Sequence, residues 1–558
     1  MVRSRAHRVL AVSAVLAAAC GTPPAPAPTV TLAVVNAVVW TGDPSRPEAQ
    51  AVAVNGDRIV AVGSTDEIRA MAGAAEVIDA GGQFVTPGFI DSHVHFLDGG
   101  QRLASVQLRD ARTPEEFTAR IAAFAKTVPP GTWITGGDWD HQQWGGALPE
   151  RAWIDAATPD HPVWVNRLDG HMALANAAAL AAAGVARTVR DVAGGEIVRD
   201  RRGELTGLLK DNAMGLVDAK MPPPDAAAQD RALAAAMQYV NAQGVTSVQH
   251  MGGWADLEAF ERARQAGTLT TRLYAAVPLD TWERLAQTIR ARTFGGADGR
   301  GDHWLRLGNL KGFVDGSLGS HTAAMREPFT DTPNDRGLFV NPPERLYEWT
   351  SGADAAGLQV SVHAIGDRAI ATQLDIFERV AKAHGPRDRR FRIEHAQHPA
   401  PADIPRFAAL GVVASMQPYH AIDDGRWAEQ VIGPRIATTY AFRSMLDAKV
   451  ALAFGSDWFV APPTPLEGIY AAVTRRTLDD RHPDGWVPAQ KITVEEALTA
   501  YTRTAACGVR RGRQGHDRAG LLADLAIIDR DLRTIPGPAI RDARVVRAIV
   551  GGRTVYTR

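Results

Sequence analysis

The spacing of apolar and polar positions changes character twice along the chain. From Thr31 to Val85 the apolar residues come in short runs separated by turn formers. Leu32 to Val39 reads as one strand. Ala51 to Val54 and Ile59 to Val62 flank Asn55-Gly56-Asp57, whose residues tolerate the positive φ of a tight hairpin. Val77 to Asp79 is a further short strand. The same texture returns in Leu525 to Ile528, Val545 to Val550 and Thr554 to Tyr556, the last pair around Gly551-Gly552. Two β-rich ends around a long middle predict one small β-sandwich domain assembled from 31–85 and 515–558.

The middle, 86–514, alternates instead. Its apolar runs are Phe84–Asp91, Val245–His250, Thr271–Ala276, Leu307–Val314, Leu358–His363, Phe391–His395, Val412–Met416 and Val450–Phe454. Segments of helical period lie between most of them, such as Leu257–Gln265 and Ile370–Lys382. Eight strand–helix repeats predict an α/β fold of the (β/α)8 TIM-barrel type. One interval is out of scale: 97–244, between the first and second strands, is far longer than a βα connection. It carries strand-like pieces at Trp133–Gly136 and Val163–Asn166 and an Ala-rich helical stretch near Ala173–Ala183. Set after the first strand, such an insertion rises from the carboxyl-end face and serves as a lid or pocket wall.

Composition narrows the function by exclusion. Charged residues make up 22% and the formal net charge is −1, so no global field points to nucleic acid. The two cysteines, Cys20 and Cys507, exclude a disulfide framework. Arg3, Arg5 and Arg8 precede an apolar run, Val9 to Ala19, that is too short to span a bilayer. Residues 1–20 therefore read as an export signal, placing the protein in the cell envelope. Cleavage before Cys20 would resemble a bacterial lipoprotein signal and tether the protein to the membrane, although Leu16 and Ala17 are displaced from that pattern. A soluble periplasmic protein is the competing expectation. The Pro- and Ala-rich 21–30 reads as an extended tether.

The strand ends carry the chemistry. The first ends in His93-Val94-His95, and residues two apart on a strand share a face. Both imidazoles thus reach one point, as half of a divalent metal site would require. Lys311 lies on the fourth strand, His363 ends the fifth, His395 the sixth, and Asp457 follows the eighth. In a barrel these ends converge on one face. Each alone is more simply a cap or a hydrogen-bonded residue; five segments carrying such residues exceed what caps require. Alternation turns Glu394 away from His395, though a carboxylate beside a metal-bound imidazole is a common support.

The motifs Asp91-Ser-His-Val-His, Lys311-Gly-Phe-Val-Asp-Gly, His363-Ala-Ile-Gly-Asp, Arg392-Ile-Glu-His-Ala-Gln and Phe454-Gly-Ser-Asp-Trp resemble those of the amidohydrolase superfamily. In particular they are similar to its YtcJ-like branch, which includes N-substituted formamide deformylases. The resemblance implies a metal-dependent hydrolase of non-peptide C–N bonds. It implies that His93, His95 and Asp457 hold one divalent ion, expected to be Zn2+. A second would rest on His363 and His395, with Lys311 carboxylated as a bridge. Asp457 would be the general base. The metal count, one or two, stays open. Gly136-Gly-Asp-Trp-Asp-His-Gln-Gln-Trp144 and Arg167-Leu-Asp-Gly-His171 resemble insertion segments of the same branch, making Trp139, Asp140, Trp144 and His171 candidate substrate contacts. His250 and His321 are further candidates from the barrel loops. A deaminase, an ester or lactone hydrolase, and a silent metal-binding scaffold are the alternatives; Lys311 weighs against the first. The expected partner is a small amide-type molecule.

Overall fold

The computed structural model describes residues 29–508, 514–515 and 517–558. The expected signal at 1–20, Cys20 and the tether as far as Pro28 lie outside the described residues. The central sheet has eight parallel strands in sequence order. They are β1 (Phe89–Val94), β2 (Val245–Met251), β3 (Arg272–Pro278), β4 (Leu305–Phe313), β5 (Gln359–Ala364), β6 (Arg392–His395), β7 (Val413–Met416) and β8 (Leu452–Phe454). The outer strands approach through a parallel bridge between Val94 and Trp458, which nearly closes the barrel. Helices such as Trp254–Gln265 and Asp367–His384 return the chain between strands and bury apolar faces against them. The strands are buried on both faces, as a helix-wrapped parallel sheet requires. This is the expected α/β barrel.

Two strand expectations are corrected. The run Phe84–Asp91 divides at Gly88: Phe84–Pro87 pairs with Val38–Val39 and with Leu525–Ile528, and only Phe89 onward enters the barrel. A Cβ at Gly88 would lie 2.3 Å from the Thr246 side chain, so glycine permits the crossing between the two sheets. Leu32–Val39 divides at Asn36, where φ is 53°, sending Leu32–Val35 to one sheet and Val38–Trp40 to the other. The two terminal sheets hold four and six strands. They share a core of Val34, Val39, Val52, Val85, Leu525 and Ile527, and so form a sandwich. Arg272 of β3, fully buried, grips Asp524 of this domain through two bonds of 2.8 and 2.9 Å.

The stretch after β1 folds a six-stranded sheet of its own, running from Val106–Gln107 to Leu205–Asp211. The expected helix at Ala173–Ala183 begins late: Met172–Ala175 is a strand, and the helix is Ala177–Ala183. Asn176 starts it, its side chain accepting from Ala179 N at 2.9 Å. The last helix before β2, Ala226–Ala242, packs back on the barrel core. The insertion is fastened over the barrel mouth. Arg109 donates to the carbonyls of Phe459 and Val460, and Asp169 accepts from Ser317.

Candidate metal centre and active site

Polar residues line the inside of the upper barrel. Alternation along β4, β5 and β6 turns Asn309 and Lys311, Ser361 and His363, and Arg392 and Glu394 inward. Bonds between strands bear this out: Ser361 Oγ donates to Asn309 Oδ1 at 2.9 Å, and Arg392 donates to Ser92 O and Ser415 Oγ, both at 2.7 Å. Above this layer the ligand-type residues meet. His93 Nε2 and His95 Nε2 each lie 3.3 Å from Asp457 Oδ1. Lys311 Nζ is 3.1 Å from His93 Nε2. The His395 ring lies 4.8 Å from that of His93 and 4.5 Å from that of His363, between centroids.

Two of these side chains are aimed by unusual backbone. His395 has φ 72° and Asp457 has φ 61°, both in the left-handed region that non-glycine residues rarely occupy. At Asp457 the chain is held by Asp457 N donating to His93 O at 2.7 Å. At His395 the turn ends the strand's alternation, so Glu394 and His395 both face the centre. The expectation that Glu394 points away is thereby corrected: its Oε2 lies 2.7 Å from His93 Nδ1.

Hydrogen-bond partners fix which ring nitrogens keep lone pairs. Carboxylate and carbonyl oxygens only accept, so the nitrogen hydrogen-bonded to them carries the proton. His93 is hydrogen-bonded to Glu394 through Nδ1, which leaves Nε2 to accept from Lys311 Nζ at 3.1 Å. His395 donates from Nδ1 to Gln417 Oε1 at 2.9 Å, leaving Nε2. His363 donates from Nε2 to Gly316 O at 3.0 Å, leaving Nδ1. Burial holds the His363 and His395 imidazoles well below their ordinary pKa. Neutral imidazole is the ligating form.

The charges are arranged to keep the carboxylates ionised. Burial alone would raise Asp457, but His93 and His95 hold it well below the usual range. Glu394 is likewise lowered to about 2, burial being outweighed by Arg392 and His93. Burial pulls the Lys311 amine down to about 8, against the opposing pull of Glu394 and Asp457. Asp457 Oδ1 is buried and accepts no hydrogen bond from any described residue. An orphaned carboxylate oxygen flanked by two imidazole nitrogens is a donor set that fits a divalent cation. The ligand atoms of His93, His95 and Asp457 lie within 4.8 Å of one another, as do those of His395, His420 and Asp457.

Two cavities reach the centre. A narrow one of about 40 Å3 is lined by Arg167, His171, His363, His395, His420 and Asp457, among others. A wider one of about 360 Å3 opens past His95, Lys311, Asp256 and Trp349. Of the substrate-contact candidates, His171 lines the narrow cavity, its Nδ1 2.7 Å from Asp211 and its ring 4.8 Å from that of His363. The others stand elsewhere. Trp139 is fully buried in the insertion core and donates to Val165 O at 2.9 Å. Trp144 packs on Phe117, with ring centroids 5.7 Å apart. Asp140 is buried behind the cavity wall, between Arg426 at 3.1 Å and Arg167 at 3.5 Å. His250 spends both nitrogens, accepting from Phe96 N at 3.0 Å and meeting Asp256 at 3.0 Å. His321 pairs with Asp331 at 2.9 Å, half-exposed.

The narrow cavity is also lined by Arg167 and Asp169, from the Arg167–His171 segment marked in the sequence, and by Ser317, His420 and Trp427, which the sequence did not single out. Of these three only His420 left a signal, four residues beyond Met416 at the end of β7. Ser317 and Trp427 come from loops, whose placement no strand pattern encodes.

A nearly closed parallel barrel, with imidazoles and a carboxylate gathered at the carboxyl ends of its strands, is the architecture of a metal-dependent hydrolase. A solved metal-dependent hydrolase from Pyrococcus horikoshii superimposes with a TM-score of 0.74 and 25% identity, over 91% of this chain and 99% of that one. The chain belongs to the amidohydrolase family, whose sequence model matches residues 76–556. It is 30% identical to the N-substituted formamide deformylase of Arthrobacter pascens, over 94% of this chain and 98% of that protein. The Arabidopsis thaliana protein LONG AFTER FAR-RED 3 is 39% identical over 94% of this chain and 91% of its own length. These matches agree with the YtcJ-like resemblance read from the motifs.

Proposed function

We propose that the protein hydrolyses non-peptide C–N bonds of amide type, with Asp457 as general base. The observation that carries this reading is the convergence of His93 and His95 on Asp457 at the barrel mouth, with Lys311 against His93. His93, His95 and Asp457 would hold a divalent ion, taken to be Zn2+; the free Nδ1 of His363 and Nε2 of His395 suit a second. A bound ion of this kind lowers the pKa of water and polarises a carbonyl.

The chain supplies the rest. Asp457 presents a carboxylate kept ionised by its imidazole neighbours, able to take the proton of the attacking water and return it to the departing amine. Glu394 orients His93 through Nδ1. Lys311 as an ammonium has no lone pair. Its burial and lowered pKa favour the free amine, which reacts with carbon dioxide to give a carbamate and a proton; the carbamate oxygens could then bridge two ions. Arg167, Asp169 and His171 of the insertion form part of the narrow cavity's wall, and water excluded there by a bound substrate would strengthen the charge interactions inside.

The similarity to a formamide deformylase supports N-formyl and short N-acyl amines as first substrates to try. The test is turnover of such a panel by zinc-loaded protein prepared with bicarbonate. Amine release is the expected product. Turnover confined to esters, lactones or ring deamination would overturn the C–N assignment.

A further inference from the structure

We propose that His420 contacts the substrate, donating a hydrogen bond to the carbonyl oxygen of the group on which Asp457 acts. This rests on the hydrolase reading above. His420 stands in the helix Pro418–Asp424 that follows β7. It lines the narrow cavity, and one of its ring nitrogens lies within 4.8 Å of the ligand atoms of His395 and Asp457. Its side chain is buried, at 8% exposure, yet no described residue bonds to its Nε2.

Four other polar side chains around the cavity are committed. His171 meets Asp211, His363 donates to Gly316 O, His395 donates to Gln417, and Arg167 pairs with Asp169 at 2.6 Å. A buried nitrogen without a partner carries a desolvation penalty, which a bound group can remove. The cavity that His420 lines is also lined by Asp457, so a scissile carbonyl seated there brings its oxygen within reach of an imidazole N–H. As that carbon becomes tetrahedral, charge collects on the oxygen and the bond strengthens. His420, His395 and Asp457 are also a set of metal-ligand types, so a cation is the competing occupant.

Zinc-loaded wild type, His420→Ala and His420→Gln separate the two. Three quantities are read: bound zinc, kcat and KM on an N-acyl amine and on an ester, and affinity for acetate by calorimetry. All three proteins should keep their zinc. His420→Ala should lose about 100-fold in kcat with little change in KM, as for a lost oxyanion donor. His420→Gln, which retains an N–H donor, should recover part of that loss. Acetate should bind about tenfold more weakly to His420→Ala. Zinc lost from His420→Ala would make the residue a ligand and overturn the proposal; so would unchanged kcat and acetate affinity. A wild type active only on esters sinks the C–N reading while the His420 comparison is read on the ester. With neither substrate turned over, the acetate affinities decide.

Discussion

Glu394 Oε2 and His93 Nδ1 lie 2.7 Å apart, both side chains wholly buried. The carboxylate fixes the imidazole's orientation and draws the proton to Nδ1, so Nε2 is left to accept from Lys311 Nζ, 3.1 Å away. The pair spans the barrel from β6 to β1.

Glu394→Gln keeps the shape and removes the charge. Metal affinity should fall about 10- to 100-fold, the usual cost of losing a carboxylate behind a ligating imidazole. Competition with a chromophoric chelator measures this. Unchanged affinity would mean that His93 does not depend on Glu394.

Asp457→Asn tests the base. Asn can still offer an oxygen beside His93 and His95 but cannot take a proton. Turnover should drop at least about 100-fold, while a large share of the metal stays bound. Steady-state rates paired with elemental analysis check it, and wild-type turnover in a metallated variant would remove Asp457 from the role.

His398 offers a pH test away from the centre. Its Nδ1 lies 3.0 Å from Thr439 Oγ1, and burial, helped by Arg435, lowers its pKa to about 3. The unfolded chain takes up a proton near pH 6.5 and the folded one does not, so its stabilising contribution is present above 6.5 and lost as pH falls toward 3. Between pH 7 and pH 5 wild type should lose about 2 kcal/mol relative to His398→Gln. Urea unfolding at the two pH values gives the difference, and parallel pH curves for the two proteins would refute it.

The Arg272–Asp524 pair joins the barrel to the terminal sandwich. Arg272→Ala leaves Asp524 buried without its counter-charge, held by Gln514 Nε2 and Gly551 N, which should cost about 3–5 kcal/mol. Replacing both partners by Met and Leu should cost less than Arg272→Ala alone. Thermal unfolding ranks the variants; a double replacement worse than the single would contradict this account.

What the sequence by itself determined follows from local periodicity. Period-2 runs ending in His93, His95, His363 and His395 placed the ligand types at strand ends, and a closed parallel sheet brings strand ends to one face. The barrel, the two-ended sandwich and the insertion were legible in this way. Tertiary structure decided what depends on backbone turns and long-range contacts. The left-handed residues His395 and Asp457 aim their side chains against simple alternation, and Gly88 hands the chain from one sheet to another. Trp139 and Trp144 looked like pocket walls but pack inside the insertion, while His420 and Arg167 line the cavity. Periodicity records which face of an element is apolar; it does not record which loop will fold over it.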